Sequence, residues 1–181
     1  MSKTPPVLKF PDDVNKFPIF DIVYPDTNFI LKLMYKDDAK HSAAEALFTH
    51  LIYKNNKTKI LLSTLVIDEF WGILLRQLFK KDNSRQISYS DLKGDKTVIP
   101  KYADKLREHT SRLFSSLLIT PISISEELNN DALNNMIHFN LSPRDSYHLA
   151  AANSYHANAF ISNDTDFESI ESETIEAIIR I

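Results

Sequence analysis

The stretch Ile19-Phe20-Asp21-Ile22-Val23-Tyr24-Pro25-Asp26-Thr27-Asn28 decides the fold. Its β-branched and aromatic residues from Ile19 to Tyr24 read as a strand, which Pro25 closes. Asp26 then stands at the strand's C-terminal end, ahead of helical patterns over Asn28–Tyr35 and His41–Lys54. In the second pattern Ala44, Leu47, Phe48 and Leu51 recur at spacings of three and four and form one apolar face. The same strand-then-helix unit returns downstream. Lys59–Ser63 (KILLS) is a short apolar run suited to a buried strand, and Ser63 or Thr64 can cap the long helix after it. Leu118–Ile122 reads as a strand after a helix over Lys101–Leu118, and Ser125–Phe139 as a helix. Ser142-Pro143-Arg144-Asp145 is a helix start, with Ser as N-cap, Pro in the first turn and an acid three residues on. That helix runs to about His156. Ala159–Ser162 (AFIS) and Thr174–Ile179 (TIEAII) complete the strands.

Strands that alternate with helices predict an α/β fold, with a mostly parallel sheet covered by helices on both faces. Two segments stand outside the pattern. Residues 1–18 carry Pro5, Pro6, Pro11 and Pro18 and read as an extended N-terminal arm, leaving 19–181 as one domain. Residues 81–100 are polar and read as a loop excursion within that domain.

Composition narrows the chemistry. The 181 residues suit one domain, and 43% apolar content excludes disorder. With no cysteine there is no disulfide, thiolate zinc site or cysteine nucleophile. Two glycines exclude a glycine-rich phosphate loop. Apolar runs are too short to span a bilayer, the first ten residues lack a signal-peptide pattern, and the expected location is the cytoplasm. The net charge of −3 does not by itself suggest nucleic acid. Basic residues nevertheless gather locally, as Arg76, Lys80, Lys81 and Arg85, and as Lys101, Lys105, Arg107 and Arg112.

In parallel α/β sheets, ligands bind outside the carboxyl ends of the strands. Asp26 follows the first strand, Asp164 follows AFIS, and Glu69 and Asp145 lie in early turns of helices. Their shared placement predicts a carboxylate cluster, which stays ionised only beside cations. Hard oxygen donors of that kind suit Mg²⁺ or Mn²⁺. Each acid also has a plain structural role: Asp26 and Asp145 as caps, Asp164 and Asp166 as turn residues, Glu69 as an acid favoured near a helix start. Asp68 fits as well as Glu69 by spacing. Thr27 and Asn28 are placed to support the carboxylates or to cap. Arg144 suits either an RNA backbone contact or a surface ion pair, and His148 is expected to pack beside the sheet.

Four motifs together resemble the PIN domain family: Asp26-Thr27-Asn28-Phe29-Ile30-Leu31, Glu69 within Leu65–Phe70, Arg144–Ala152 (RDSYHLAAA), and Ser162-Asn163-Asp164-Thr165-Asp166-Phe167. The resemblance spans residue 20 to the C-terminus. It implies a three-layer α/β/α sandwich and an Mg²⁺- or Mn²⁺-dependent endoribonuclease. It assigns Asp26, Glu69, Asp145 and Asp164 as the catalytic, metal-holding acids, with Asp166 assisting. It further implies a toxin of a toxin–antitoxin pair, inhibited by a small antitoxin and dimeric. The N-terminal arm and the 81–100 excursion depart from the compact toxin type. The alternatives are a catalytically idle PIN-like module that binds RNA or protein, and a metal-dependent phosphatase. The latter is weakened because Asn28 stands where an aspartyl-nucleophile enzyme places a second Asp.

Overall fold

The computed structural model describes residues 2–115 and 118–181. Six strands form one all-parallel sheet: β1 (Val7–Lys9), β2 (Ile22–Pro25), β3 (Lys59–Ser63), β4 (Ile119–Ile122), β5 (Ala159–Ile161) and β6 (Ala177–Arg180). Their spatial order is β1-β6-β5-β2-β3-β4. The helices are α1 (Thr27–Met34), α2 (His41–Lys54), α3 (Thr64–Asn83), α4 (Tyr89–Gly94), α5 (Val98–Phe114), α6 (Leu128–Phe139) and α7 (Pro143–Ser154). The principal helix contacts join α1 to α2, and α3 to α1, α4 and α5; α6 and α7 pair separately. The result is the α/β/α sandwich expected from the alternation of elements.

The interior strands carry buried residues on both faces, as parallel sheets require. β5 is buried throughout, and β3 from Ile60 to Ser63. Tyr24 on β2 stacks on Phe160 of β5, with ring centroids 5.5 Å apart, and Phe160 packs against Phe167 at 4.6 Å. From β2 the chain steps outward through β3 to β4, then returns past β2 to β5. The β2–β5 boundary is therefore the switch point where the winding reverses, and a crevice opens beyond the strands' carboxyl ends there. No helix among the described residues is long and apolar enough to cross a membrane.

The termini of the sequence depart from the expected layout. The proline-bearing start is not a free arm. Val7, Leu8 and Lys9 pair in register with Ile178, Ile179 and Arg180 and form the edge strand beside β6. Pro5 and Pro6 precede this strand and Pro11 follows it, so no proline interrupts its ladder. Lys3 and Ser172 also exchange backbone hydrogen bonds of 3.1 Å each. The 81–100 segment is not wholly loop either. Ser88 caps the short α4 by accepting from the Asp91 N–H at 3.1 Å, and Leu92 and Val98 are buried. Helix α5 starts at Val98, so Pro100 lies in its first turn, where no N–H is missed. The residues 116–117 of the expected Lys101–Leu118 helix lie outside the described residues. TIEAII contributes only its second half to β6, because Ser172 Oγ first accepts from the N–H groups of Thr174 and Ile175.

Candidate active site

Local capping draws the acids to the carboxyl edge. Asp26 ends β2 and caps α1: its Oδ1 accepts from the Phe29 N–H at 2.9 Å. Its Oδ2 accepts from Ser162 Oγ at 2.6 Å. Ser162 Oγ in turn accepts from the Asp164 N–H at 3.0 Å, so one hydroxyl ties the exits of β2 and β5 together. Asp164 starts the 3₁₀ turn Thr165–Ser169 and receives the Asp166 N–H on Oδ1 at 3.0 Å. Asp145 sits in the first turn of α7, where Ser142 Oγ donates to its Oδ2 at 2.5 Å. The plain structural roles are thus real, and they coexist with convergence.

Asp26, Thr27, Asn28, Glu69, Arg144, Asp145 and Asp164 all line one pocket of about 370 Å³, with Asp68, Arg76 and His148. Two of these, Asp145 and Asp164, form a group with Asp166 in which each presents an oxygen within 4.8 Å of the others. None of the three forms an ion pair among the described residues. Three hard oxygen donors facing one another without a cation are a set that a divalent ion fits. Asp166 belongs to this group from the more exposed side of the turn. Asp26 lies deeper, buried, and burial pushes its carboxyl up from the usual range against the pull of Ser162 and Phe29.

Glu69 has the opposite surroundings. Thr27 Oγ1 donates to its Oε2 at 2.5 Å, His148 Nε2 lies 3.1 Å from the same oxygen, and Arg144 bonds Oε1 at 3.1 Å. Burial pushes this carboxyl up, but hydrogen bonds from His148 and Thr27 and the nearby Arg144 charge outweigh it and hold it down at about 2. Behind it runs a buried polar chain: His148 Nδ1 meets Tyr24 Oη at 2.9 Å, and Tyr24 Oη meets Ser63 Oγ at 2.8 Å. Burial raises the Tyr24 phenol well above its ordinary value. Of the readings left open by spacing, Glu69 rather than Asp68 is turned into the fold; Asp68 is exposed at the pocket wall. Arg144 makes the ion pair, and His148 packs beside the sheet as expected, while also reaching Glu69. Ser162, Tyr24 and Ser63 are the hydrogen-bonding neighbours of these acids and of His148 that sequence reasoning missed. Ser162 alone left a signal, as a hydroxyl at a strand exit two residues before an acid.

An all-parallel sandwich with an acid pocket at its switch point defines the class of carboxylate-centred α/β proteins. The chain belongs to the PIN domain family, whose model matches residues 23–173. No curated protein matches it. Among solved structures it is similar to VapC20 of Mycobacterium tuberculosis, described as a sarcin–ricin-loop-cleaving toxin. The TM-score is 0.50 and the identity 16%, over 85% of this chain and 97% of that one. It is also similar to VapBC2 of Rickettsia felis, solved with a DNA fragment of its promoter: TM-score 0.55 and identity 13%, over 87% and 98%. Identities this low compare folds and leave the chemistry to the site itself.

Proposed function

We propose that this chain is a metal-dependent endoribonuclease that hydrolyses phosphodiester bonds of RNA. The observation that carries this is the uncompensated trio Asp145, Asp164 and Asp166 beside Asp26, at the sheet's switch point. Membership of the PIN family and the fold likeness to a sarcin–ricin-loop-cleaving toxin support it. Asp145, Asp164 and Asp166 would hold Mg²⁺ or Mn²⁺, with Asp26 as the deeper donor. When bound, such an ion supplies an activated water and offsets the charge that builds on phosphorus. Ser162 orients Asp26, and Thr27 orients Glu69, which faces the same pocket as a fixed anion. Arg144, exposed and paired with Glu69, would meet a substrate phosphate in exchange for that partner. Asn28 lines the pocket as a neutral donor.

We extend the reading to a toxin-like role with a small antitoxin as partner, on the likeness to VapC20 and VapBC2, and to a homodimer as the working form, on the family resemblance alone. The test of the nuclease is direct. Metal-stripped protein given Mn²⁺ should cut RNA, and Asp26→Asn should abolish cleavage while its melting curve stays cooperative. Undiminished cleavage by that variant sinks the assignment. RNA binding by the wild type without any Mn²⁺ uptake would instead leave a binding module.

A further inference from the structure

The acid pocket does not end at Arg76. Ile73 and Arg76 are shared with a second concavity of about 280 Å³, whose other lining residues are Gln77, Lys80, Gln86 and Ile87. The two form one continuous path along α3. Glu69, Gly72, Ile73, Arg76 and Lys80 succeed one another at short helical intervals and so occupy one face of that helix. Gly72 puts no side chain on the stretch between the acids and Arg76.

The electrostatics change sign along this path. The acid pocket holds five carboxylates; the second concavity holds two cations and no acid. Neighbouring cations are already matched: Lys81 pairs with Asp37 at 2.5 Å and Lys101 with Asp82 at 3.2 Å. Arg76 and Lys80 form no ion pair among the described residues, and Arg76 Nε bonds only its own helix, at Gly72 O. They stand four residues, about 6 Å, apart along the axis, which is comparable with the spacing of successive phosphates on an extended strand. The partly buried Ile73 and Ile87 give the path an apolar lining against which a base can rest. Gln86 and Ile87 come from the segment between α3 and α4, so the 81–100 excursion builds the outer wall.

We propose that this groove is a phosphate-binding subsite for single-stranded RNA, with Arg76 and Lys80 holding the backbone beyond the bond at the acid pocket. The proposal deepens the nuclease reading and rests on it for the choice of RNA. An anionic strand crossing a wall of carboxylates needs cations on the far side to be retained, and these two are the uncompensated ones along the path. The excursion that departs from the compact toxin type then has a role, since it turns an open helix face into a groove.

The experiment is metal-free binding of a labelled single-stranded RNA in EDTA, monitored by fluorescence anisotropy from about 50 to about 200 mM salt. The double variant Arg76→Gln/Lys80→Gln should bind about tenfold more weakly, and its log–log salt slope should be shallower by about 1.4, two phosphates at 0.7 each. The control Lys54→Gln/Lys57→Gln makes the same charge change at and after the end of α2, where neither residue lines the path, and should bind as wild type. All four residues are exposed, so melting curves should coincide. Unchanged affinity and slope in the Arg76/Lys80 variant, equal loss in both variants, or no binding by wild type each overturns the groove. Binding that depends on Arg76 and Lys80 without Mn²⁺-dependent cleavage by wild type keeps the groove and refutes the nuclease. Cleavage with an unaltered salt slope in the variant does the reverse.

Discussion

Two walls of one pocket treat their carboxylates in opposite ways. On the wall built by α3 and α7, Glu69 is saturated: a hydroxyl, an imidazole and a guanidinium meet its two oxygens. On the wall built from the exits of β2 and β5 and the start of α7, the carboxylates of Asp26, Asp145 and Asp164 accept from hydroxyls and backbone N–H groups, the N–H of Asp166 being the donor to Asp164. A carboxylate with internal cations has its charge offset by folding; carboxylates without them keep their charge available for an outside cation. On the proposed function, the difference separates residues that shape the pocket from residues that would hold the metal. It also gives Glu69, which the family resemblance groups with the other acids, surroundings of its own.

The largest effect should come from the wall without internal cations. Asp145→Asn keeps the size of the side chain and an oxygen for Ser142 but removes a charge from the trio. RNA cleavage in Mn²⁺ should fall by at least about a hundredfold, the scale expected when a site's hold on its metal is lost. Calorimetric Mn²⁺ uptake should fall with it, and the melting temperature in EDTA should move little, because one of three mutually repelling charges is gone. Full Mn²⁺ uptake by the variant would break the comparison.

The wall around Glu69 should respond in stability first. Tyr24→Phe deletes the hydroxyl that joins Ser63 to His148 inside the fold. Two buried polar groups lose a partner, although Ser63 Oγ still accepts from the Val66 N–H. The cost should be about 1–3 kcal/mol in urea unfolding, with Mn²⁺ uptake retained. A variant as stable as wild type but unable to take up Mn²⁺ would show that the two walls are not separable.

Much of this arrangement was legible in the residues. KILLS and AFIS read as strands because a parallel interior strand is buried on both faces and shows as an unbroken apolar run. Asp26, Asp145 and Asp164 were visible because the switch point gathers the residues that end strands and begin helices. The features that stayed hidden depend on partners far away in sequence. β1 is three residues among prolines, and only the free edge of β6 makes it a strand. α4 is a single capped turn and a half, held by burying Leu92. The Ser63–Tyr24–His148–Glu69 chain joins four elements, and no local spacing encodes it. Asp68 and Glu69 are adjacent, and the choice between them comes from which side of α3 faces α1 and α7.

The smallest effect, and the sharpest test of the contrast, is the pH dependence of stability in EDTA. Glu69 is held at about 2 in the fold, against an ordinary value of 4.5, so its ionised form is favoured by folding. Its contribution is complete above about pH 4.5 and is lost as pH falls towards about 2. Glu69→Gln should therefore be less stable than wild type at neutral pH, with the gap closing through that window. Asp26 is shifted the other way, because burial favours its protonated form. Folding then holds that proton more tightly than the unfolded chain does, and stability drains away as pH rises above the ordinary value of 3.8. Asp26→Asn has no proton to lose, so it should gain on wild type as pH rises through the same range in which Glu69→Gln falls behind. Urea midpoints for the three proteins between about pH 3 and about pH 7 measure both trends. Gaps of the same sign would mean that the pocket has one electrostatic environment rather than two.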